Sequence, residues 1–248
     1  MSTRPFTLAL VTGANRGVGL EIARQLAMNN TRVLLSGRSS QEVINAAKVL
    51  QSEGLDVVPC ILDVKDPASI AAAASEIDEK YGCLDILVNN AGIRVEEYGK
   101  QPSEQSLEEW RETFETNLFG VVAVCKAFLP LMRRAAAGRI VNVSSLLGSI
   151  ETHNDPNSYA YSPMFKSLPA YSASKSAVNS WTVHLAYELR DTHIKVNAVH
   201  PGYTKTELND GDGDLEVSEG ARTSVAMALL ADDGPTGTYV HMGETVPW

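Results

Sequence analysis

A doubly wound α/β fold, with a mostly parallel sheet of about seven strands between two helix layers, is what the order of apolar patterns predicts. Three observations carry it. Short apolar runs alternate with helix-length amphipathic patterns along the 248-residue chain. The strand-like runs are apolar throughout, as strands buried on both faces require. Most of the joining turns are short, as in repeated βα units.

In chain order, the pattern predicts a buried strand over 6–12 and a helix over 18–28, with apolar residues at 18, 22, 23, 26 and 27. A strand at 32–35 and a helix at 41–51, ended near Gly54, follow, then a strand at 56–62. Asp66-Pro67 supplies an N-cap and a first-turn proline for a helix over 68–81. A wholly apolar strand at 84–88 precedes a long helical stretch, 107–134, read as two segments meeting near Thr116-Asn117. The remaining expectations are strands at 139–143, 194–199 and 237–241 and helices at 170–190 and 218–230. Two segments depart from the alternation. Residues 147–169 form a loop long enough to suggest function, and 209–214 (NDGDGD) read as a polar, glycine-rich lid without the spacing of a calcium loop.

Composition narrows the function classes. Hydrophobic residues make up 44%, enough for a sizeable core. The net charge of −9 gives no broad electrostatic footprint for nucleic acid or an anionic membrane, so neither is expected as a partner. Cys60, Cys83 and Cys125 are scattered in apolar surroundings and read as small core residues rather than a disulfide framework or a metal knuckle. The five histidines form no metal-ligand motif, so no metal is expected. No run of 18 apolar residues occurs, and the expectation is a soluble, cytoplasmic chain forming one domain over 1–248.

The turn after the first strand, Thr12-Gly13-Ala14-Asn15-Arg16-Gly17-Val18-Gly19, suits a phosphate. Gly13 permits a tight exit from the strand, Gly17 a close backbone approach to a ligand, and Gly19 close helix–sheet packing. The N–H groups of the helix start and its dipole then face an anion, naturally a dinucleotide pyrophosphate. After the second strand, where an NAD site wants an acid for the ribose 2′-hydroxyl, the chain has Ser36-Gly37-Arg38-Ser39. Arg38 and Arg16 could bracket a 2′-phosphate by charge-assisted hydrogen bonds worth about 1.5–3 kcal/mol each, which favours NADP(H). Asp63, after the third strand, could accept from an adenine amino group or simply order its own turn. Asn89-Asn90-Ala91-Gly92, after the fourth, would let a ribose pass close and tie neighbouring strands together, or simply turn the chain.

Tyr171 and Lys175 stand at i, i+4 on one helix face, Ser144-Ser145 ends a buried strand, and Asn117 lies at the expected helix break. With T-G-x-x-x-G-x-G at 12–19, N-N-A-G at 89–92, Asn117, Ser145, Y-x-x-x-K at 171–175 and Pro201-Gly202, in this order, the chain resembles the short-chain dehydrogenase/reductase family. Its ending, together with residues 200–206, is most similar to the NADPH-dependent carbonyl reductase branch.

The resemblance implies a Rossmann-like fold and an oxidoreductase in which Asn117, Ser145, Tyr171 and Lys175 are catalytic. Tyr171 would donate a proton to a carbonyl oxygen while NADPH delivers hydride to the carbon, and would act as a base in alcohol oxidation. A free tyrosine titrates at about 10, so base work near neutrality needs about 4 kcal/mol of differential stabilisation, to which the Lys175 cation and the oxidised nicotinamide would contribute. Lys175 would also bind the nicotinamide ribose. Ser145 would orient the substrate oxygen, and Asn117 would hold a water linking Lys175 to solvent.

The cofactor residues so implied are Gly13, Asn15, Arg16, Gly17, Val18, Gly19, Arg38, Asp63, Val64, Asn90, Ala91, Gly92, Tyr171, Lys175, Pro201, Gly202, Thr204 and Thr206. Their ligand is NADP(H), and the substrate is a small-molecule carbonyl or alcohol. The alternatives are a dehydrogenase working mainly in oxidation and a non-catalytic NADP(H) sensor. Ser145 and Tyr171 lie further apart than in most of the family, the extra length falling in 147–169. That insertion could cap the pocket, or cover a subunit interface and leave a monomer; without such cover a homodimer or homotetramer is expected. Residues 94–101, 147–169 and 203–215 shape the pocket.

Overall fold

The computed structural model describes residues 5–248, so the first four positions of the expected domain lie outside the described residues. An eight-stranded sheet forms the centre, ordered β3-β2-β1-β4-β5-β6-β7-β8. β1 (Thr7–Val11), β2 (Thr31–Gly37), β3 (Val57–Ile61), β4 (Ile86–Asn89), β5 (Gly138–Val143), β6 (Ile194–Val199) and β7 (Tyr239–His241) pair in parallel. The eighth strand, β8 (Glu244–Thr245), was not expected from the sequence; it closes an antiparallel hairpin on β7 and is too short to show a strand period.

Alternate residues of each strand serve opposite layers. Ala9 and Val11 of β1 pack with α1 (Gly17–Met28), α2 (Ser40–Ser52) and α9 (Arg222–Ala228). Leu8 and Leu10 face α3 (Pro67–Tyr81), α5 (Gly120–Met132) and α7 (Pro169–Glu188). Burial on both faces is why β1 lacks a polar alternation. The three cysteines are buried, and burial pushes Cys60 up to about 12 and Cys125 up to about 11, as inert core thiols.

The expected break near Thr116-Asn117 is a π-helical turn, Glu115–Phe119, joining α4 (Leu107–Phe114) to α5 without a gap. The merged helix, Leu107–Met132, is long and apolar enough by composition to cross a membrane. Its Val121, Val124, Cys125, Phe128 and Met132 are core residues packed against the sheet, which accounts for that apolarity. The helix expected at 218–230 is two pieces, α8 (Val217–Gly220) and α9, which meet where Gly220 passes tightly over Thr204. Residues 147–169 are not structureless: three 3₁₀ turns and a short helix, α6 (Pro163–Lys166), fold back over the sheet edge.

The chain crosses from β3 back to β4, beside β1. The strand order therefore reverses between β1 and β4, and a crevice opens at their carboxyl ends, where doubly wound sheets bind ligands.

Candidate active site

A cleft of about 680 Å³ runs along that edge. At one end lies the glycine turn. Gly13 and Gly17 have φ of +61° and +56°, a region side chains disfavour, and a Cβ on Gly13 would lie 2.9 Å from the Ala91 Cα. A Cβ on Gly19 would collide with the Asn90 amide and the Gly13 carbonyl. Asn90 locks the turn from across the switch point, its amide donating to the Thr12 and Gly13 carbonyls at 2.9 and 3.1 Å. Arg16, at the N-cap of α1, supplies no side-chain acceptor, and the first turn of α1 carries no acid. The N–H groups there are left for an anion.

Arg38 and Ser39, after β2, line the same end with Asn15, whose amide donates to Glu42 at 2.9 Å. Among the described residues Arg38 has no ion-pair partner, whereas Arg16 pairs with Glu207 across the cleft mouth. Asp63 and Val64 line the wall. One Asp63 carboxylate oxygen accepts from Lys65 N at 2.9 Å, so this side chain does order its turn. Ala91, Gly92, Pro201, Gly202, Thr204 and Thr206 border the other half, and Val18 lines the floor.

Deeper in, Tyr171 and Lys175 come from the start of α7 and Ser145 from the end of β5. The Ser145 hydroxyl, which accepts from Leu147 N at 3.2 Å, lines the cleft with Tyr171. Lys175 Nζ donates to the Val143 carbonyl at 2.8 Å and lies 5.7 Å from the Tyr171 ring centre. Protein groups alone push Tyr171 up to about 12, burial being the largest cause, with Ser145 and Arg94 opposing it. Burial brings Lys175 down to about 8. The downward pull expected of Lys175 is not what opposes desolvation here; Ser145 and Arg94 supply that opposition.

Asn117 sits on the π-helical turn. Its amide donates to the Ile93 carbonyl at 2.9 Å and to Ser174 Oγ at 3.0 Å, and its oxygen accepts from Ile93 N at 2.8 Å. These bonds hold the Asn117 side chain against the segment after β4, beside the Gly92 turn that also faces Lys175 Nζ.

The insertion roofs this end. Leu147, Phe165 and Leu168 pack around Tyr171, with Tyr98, Tyr159 and Tyr203 at their margin. Phe165 meets the Tyr203 ring edge-on at 5.4 Å and the Tyr159 ring at 5.1 Å. His200 backs the roof. Its Nδ1 accepts from Leu146 N and Gly202 N at 3.1 and 3.3 Å, leaving Nε2–H to face the Tyr159 hydroxyl at 3.3 Å. Burial takes His200 down to about 3, so it is neutral. The 209–214 segment is tied down: Arg94 donates to the Leu208 carbonyl at 3.0 Å and pairs with Asp210 at 3.3 Å, and Tyr203 donates to Asp212 at 2.8 Å.

Glu96 and Tyr98 entered the sequence reading only within the pocket-shaping segment 94–101, and His200 only as the first residue of 200–206; no local signal marks the individual role of any of the three. Trp248 stacks on Tyr239 with ring centres 5.6 Å apart.

Comparison with known proteins agrees with this geometry. The short chain dehydrogenase family profile matches residues 7–215. A short-chain dehydrogenase, anuI, of Penicillium roqueforti is 39% identical over 230 residues, covering 91% of this chain and 89% of the relative. The (+)-neomenthol dehydrogenase of Arabidopsis thaliana is 33% identical over 93% of this chain and 94% of its own. The crystal structure of NADPH-bound carbonyl reductase from chicken fatty liver superposes with a TM-score of 0.84 at 29% identity, covering 98% of this chain and 99% of that one. The chain therefore belongs to the short-chain dehydrogenase family of oxidoreductases.

Proposed function

We propose that this chain is an NADP(H)-dependent reductase of ketones and aldehydes, working as one domain with the 147–169 insertion as its roof. The observation that carries the reading is the joining of two half-sites in one cleft: a glycine cradle flanked by Arg16 and Arg38, and the Ser145–Tyr171–Lys175 cluster.

The residues present fit a phosphorylated dinucleotide. The cradle has no room for a Cβ at Gly13 or Gly19, and α1 presents unopposed N–H groups. The end of β2 offers the Arg38 guanidinium and no acid, with Arg16 shared between the phosphate and Glu207. Asp63 and Val64 border the adenine. Asn90, Ala91 and Gly92 flank the ribose, which Lys175 binds. Pro201, Gly202, Thr204 and Thr206 wrap the nicotinamide end. When bound, NADPH supplies the hydride.

Ser145 holds and orients the carbonyl oxygen, and the Tyr171 hydroxyl delivers the proton to it. A phenol held near 12 is protonated at neutral pH, so Tyr171 carries the proton that the reduction requires. Lys175, near 8, is mostly charged at neutrality and steadies the phenolate left behind. The aromatic roof favours a carbonyl on a bulky apolar body, in keeping with a neomenthol dehydrogenase and a carbonyl reductase among the relatives.

A panel of open-chain and cyclic ketones and aldehydes, followed by NADPH absorbance, tests the reading. NADPH consumption with apolar cyclic ketones is expected, and Arg38→Asp lowers the preference for NADPH over NADH at least tenfold. A panel on which the wild type consumes no NADPH overturns it.

A further inference from the structure

Glu96 is a carboxylate buried to 1% exposure in the loop after β4, and both of its oxygens are committed to one place. They accept from Ala170 N at 2.6 Å and Tyr171 N at 2.8 Å, the N–H groups of the first turn of the 20-residue helix α7. That helix needs a cap from elsewhere. Its N-cap residue, Leu168, has no side-chain acceptor, Pro169 occupies the first turn, and no acid stands there. An acid supplied in trans satisfies two of the orphan donors and meets the positive end of the helix dipole.

The loop that carries Glu96 is itself anchored. Ile93 is held by Asn117 through both its N–H and its C=O, and Arg94 Nη1 donates to the Glu96 carbonyl at 2.6 Å. Gly92 lies between them and Lys175: a Cβ there would sit 3.4 Å from Nζ and 3.5 Å from Asn117 Oδ1. A rigid connection therefore runs from the cofactor-facing turn after β4 through a carboxylate to the backbone of the residue with the reactive hydroxyl.

We propose that Glu96 is a positioning residue for the reaction, clamping the first turn of α7 so that Tyr171 stands at a fixed height over the cleft. This rests on the reading of Tyr171 as proton donor. Glu96 also adds a negative charge near the phenol, which works with burial to keep it protonated. The other titratable groups facing Tyr171 are Arg94, Tyr98, Tyr159, Lys175 and Tyr239; those facing Glu96 are Arg94 and Glu109. Arg94 is the cation on the same loop, and it is partly occupied by Asp210.

Glu96→Gln opposes an amide N–H₂ to a backbone N–H, Glu96→Ala leaves both N–H groups unmet, and Glu96→Asp keeps the charge one methylene short. Amide hydrogen exchange and steady-state kinetics on the full chain test the proposal. In the Gln and Ala variants, protection of the Ala170 and Tyr171 amides is expected to fall at least tenfold while the interior of α7 keeps its protection. The kcat for ketone reduction falls at least tenfold, with KM and the NADPH dissociation constant within twofold. The ascending, low-pH limb of the pH profile for alcohol oxidation, which reports deprotonation of Tyr171, moves to lower pH in Glu96→Gln and stays in place in Glu96→Asp.

Unchanged exchange at Ala170 and Tyr171 overturns the proposal. So does a general loss in which protection throughout α7 and kcat fall while KM rises, with no movement of the pH limb. Should the Gln and Ala variants fail to fold, Glu96→Asp decides it alone: wild-type exchange at both amides, or wild-type kcat, overturns the clamp. If the wild type reduces no carbonyl at all, the reductase reading fails while the exchange arm still judges the clamp.

Discussion

Lys175 carries a charge the fold would be more stable without. It is buried with one acceptor, the Val143 carbonyl, and burial takes it from the ordinary 10.5 to about 8. That difference corresponds to about 3 kcal/mol between the charged and neutral forms. Because the folded value lies below the unfolded one, the cost is complete below about pH 8 and is relieved as pH rises towards 10.5. Tyr171 acts in the opposite sense: its folded value of about 12 lies above the ordinary 10.0, so its contribution to stability declines above pH 10. Lys175→Met is therefore expected to raise the stability of the ligand-free chain by about 1–3 kcal/mol at pH 7, and to flatten its rise between pH 8 and 10, while abolishing turnover. Urea unfolding across pH checks this; a variant less stable than wild type at pH 7 contradicts it. Gly19→Ala forces a Cβ into the Gly13 carbonyl and the Asn90 amide, neither of which can retreat without opening the switch point. A loss of about 1–3 kcal/mol in denaturant unfolding, with weakened dinucleotide binding by titration, is expected.

The helices and strands around the cleft were legible to different degrees, for identifiable reasons. β1, β4 and β5 stood out because strands buried on both faces leave unbroken apolar runs, and α3 because Asp66-Pro67 caps it in cis. Tyr171, Lys175, Ser145 and the glycine turn lie in short spaced motifs that local sequence reveals, and the structure brings them to one cleft. What local sequence hides is contact across the chain. α7 takes its cap from Glu96, 74 positions earlier, and Arg16 meets Glu207, so neither acid carries a signal where it stands. The π turn at Glu115–Phe119 preserves helical periodicity on both sides, so it read as a break rather than a bulge. The insertion read as a loop because its 3₁₀ turns are too short to show a period, although its aromatic residues close the roof. Phe165 is the element's buried centre, and Phe165→Ala is expected to raise KM for bulky apolar ketones several-fold and lower stability by about 3 kcal/mol. The NADPH dissociation constant should stay unchanged. Equal effects on NADPH binding and ketone KM would show that the roof does not divide substrate from cofactor.

Across the whole molecule, one sheet serves two chemistries because its order reverses between β1 and β4. The strands before the reversal deliver the phosphate cradle and Arg38, and those after it deliver Ser145 and the helix of Tyr171. A ligand that spans both halves ties them together, and binding to the folded chain alone stabilises it by about 2.7 kcal/mol at a hundred times its dissociation constant. NADPH is accordingly expected to raise the thermal midpoint more than NADH at equal concentration, with the difference removed in Arg38→Asp. Equal shifts for both cofactors in the wild type would contradict the role given to Arg38. The joining of the halves is tested by Tyr171→Phe, which removes one hydroxyl from the floor of the cleft and leaves the cradle untouched. Measured together, ketone-dependent NADPH oxidation by that variant is expected to fall at least a thousandfold while its NADPH dissociation constant stays within twofold of wild type. Retention of most of the turnover with the hydroxyl gone would contradict the account.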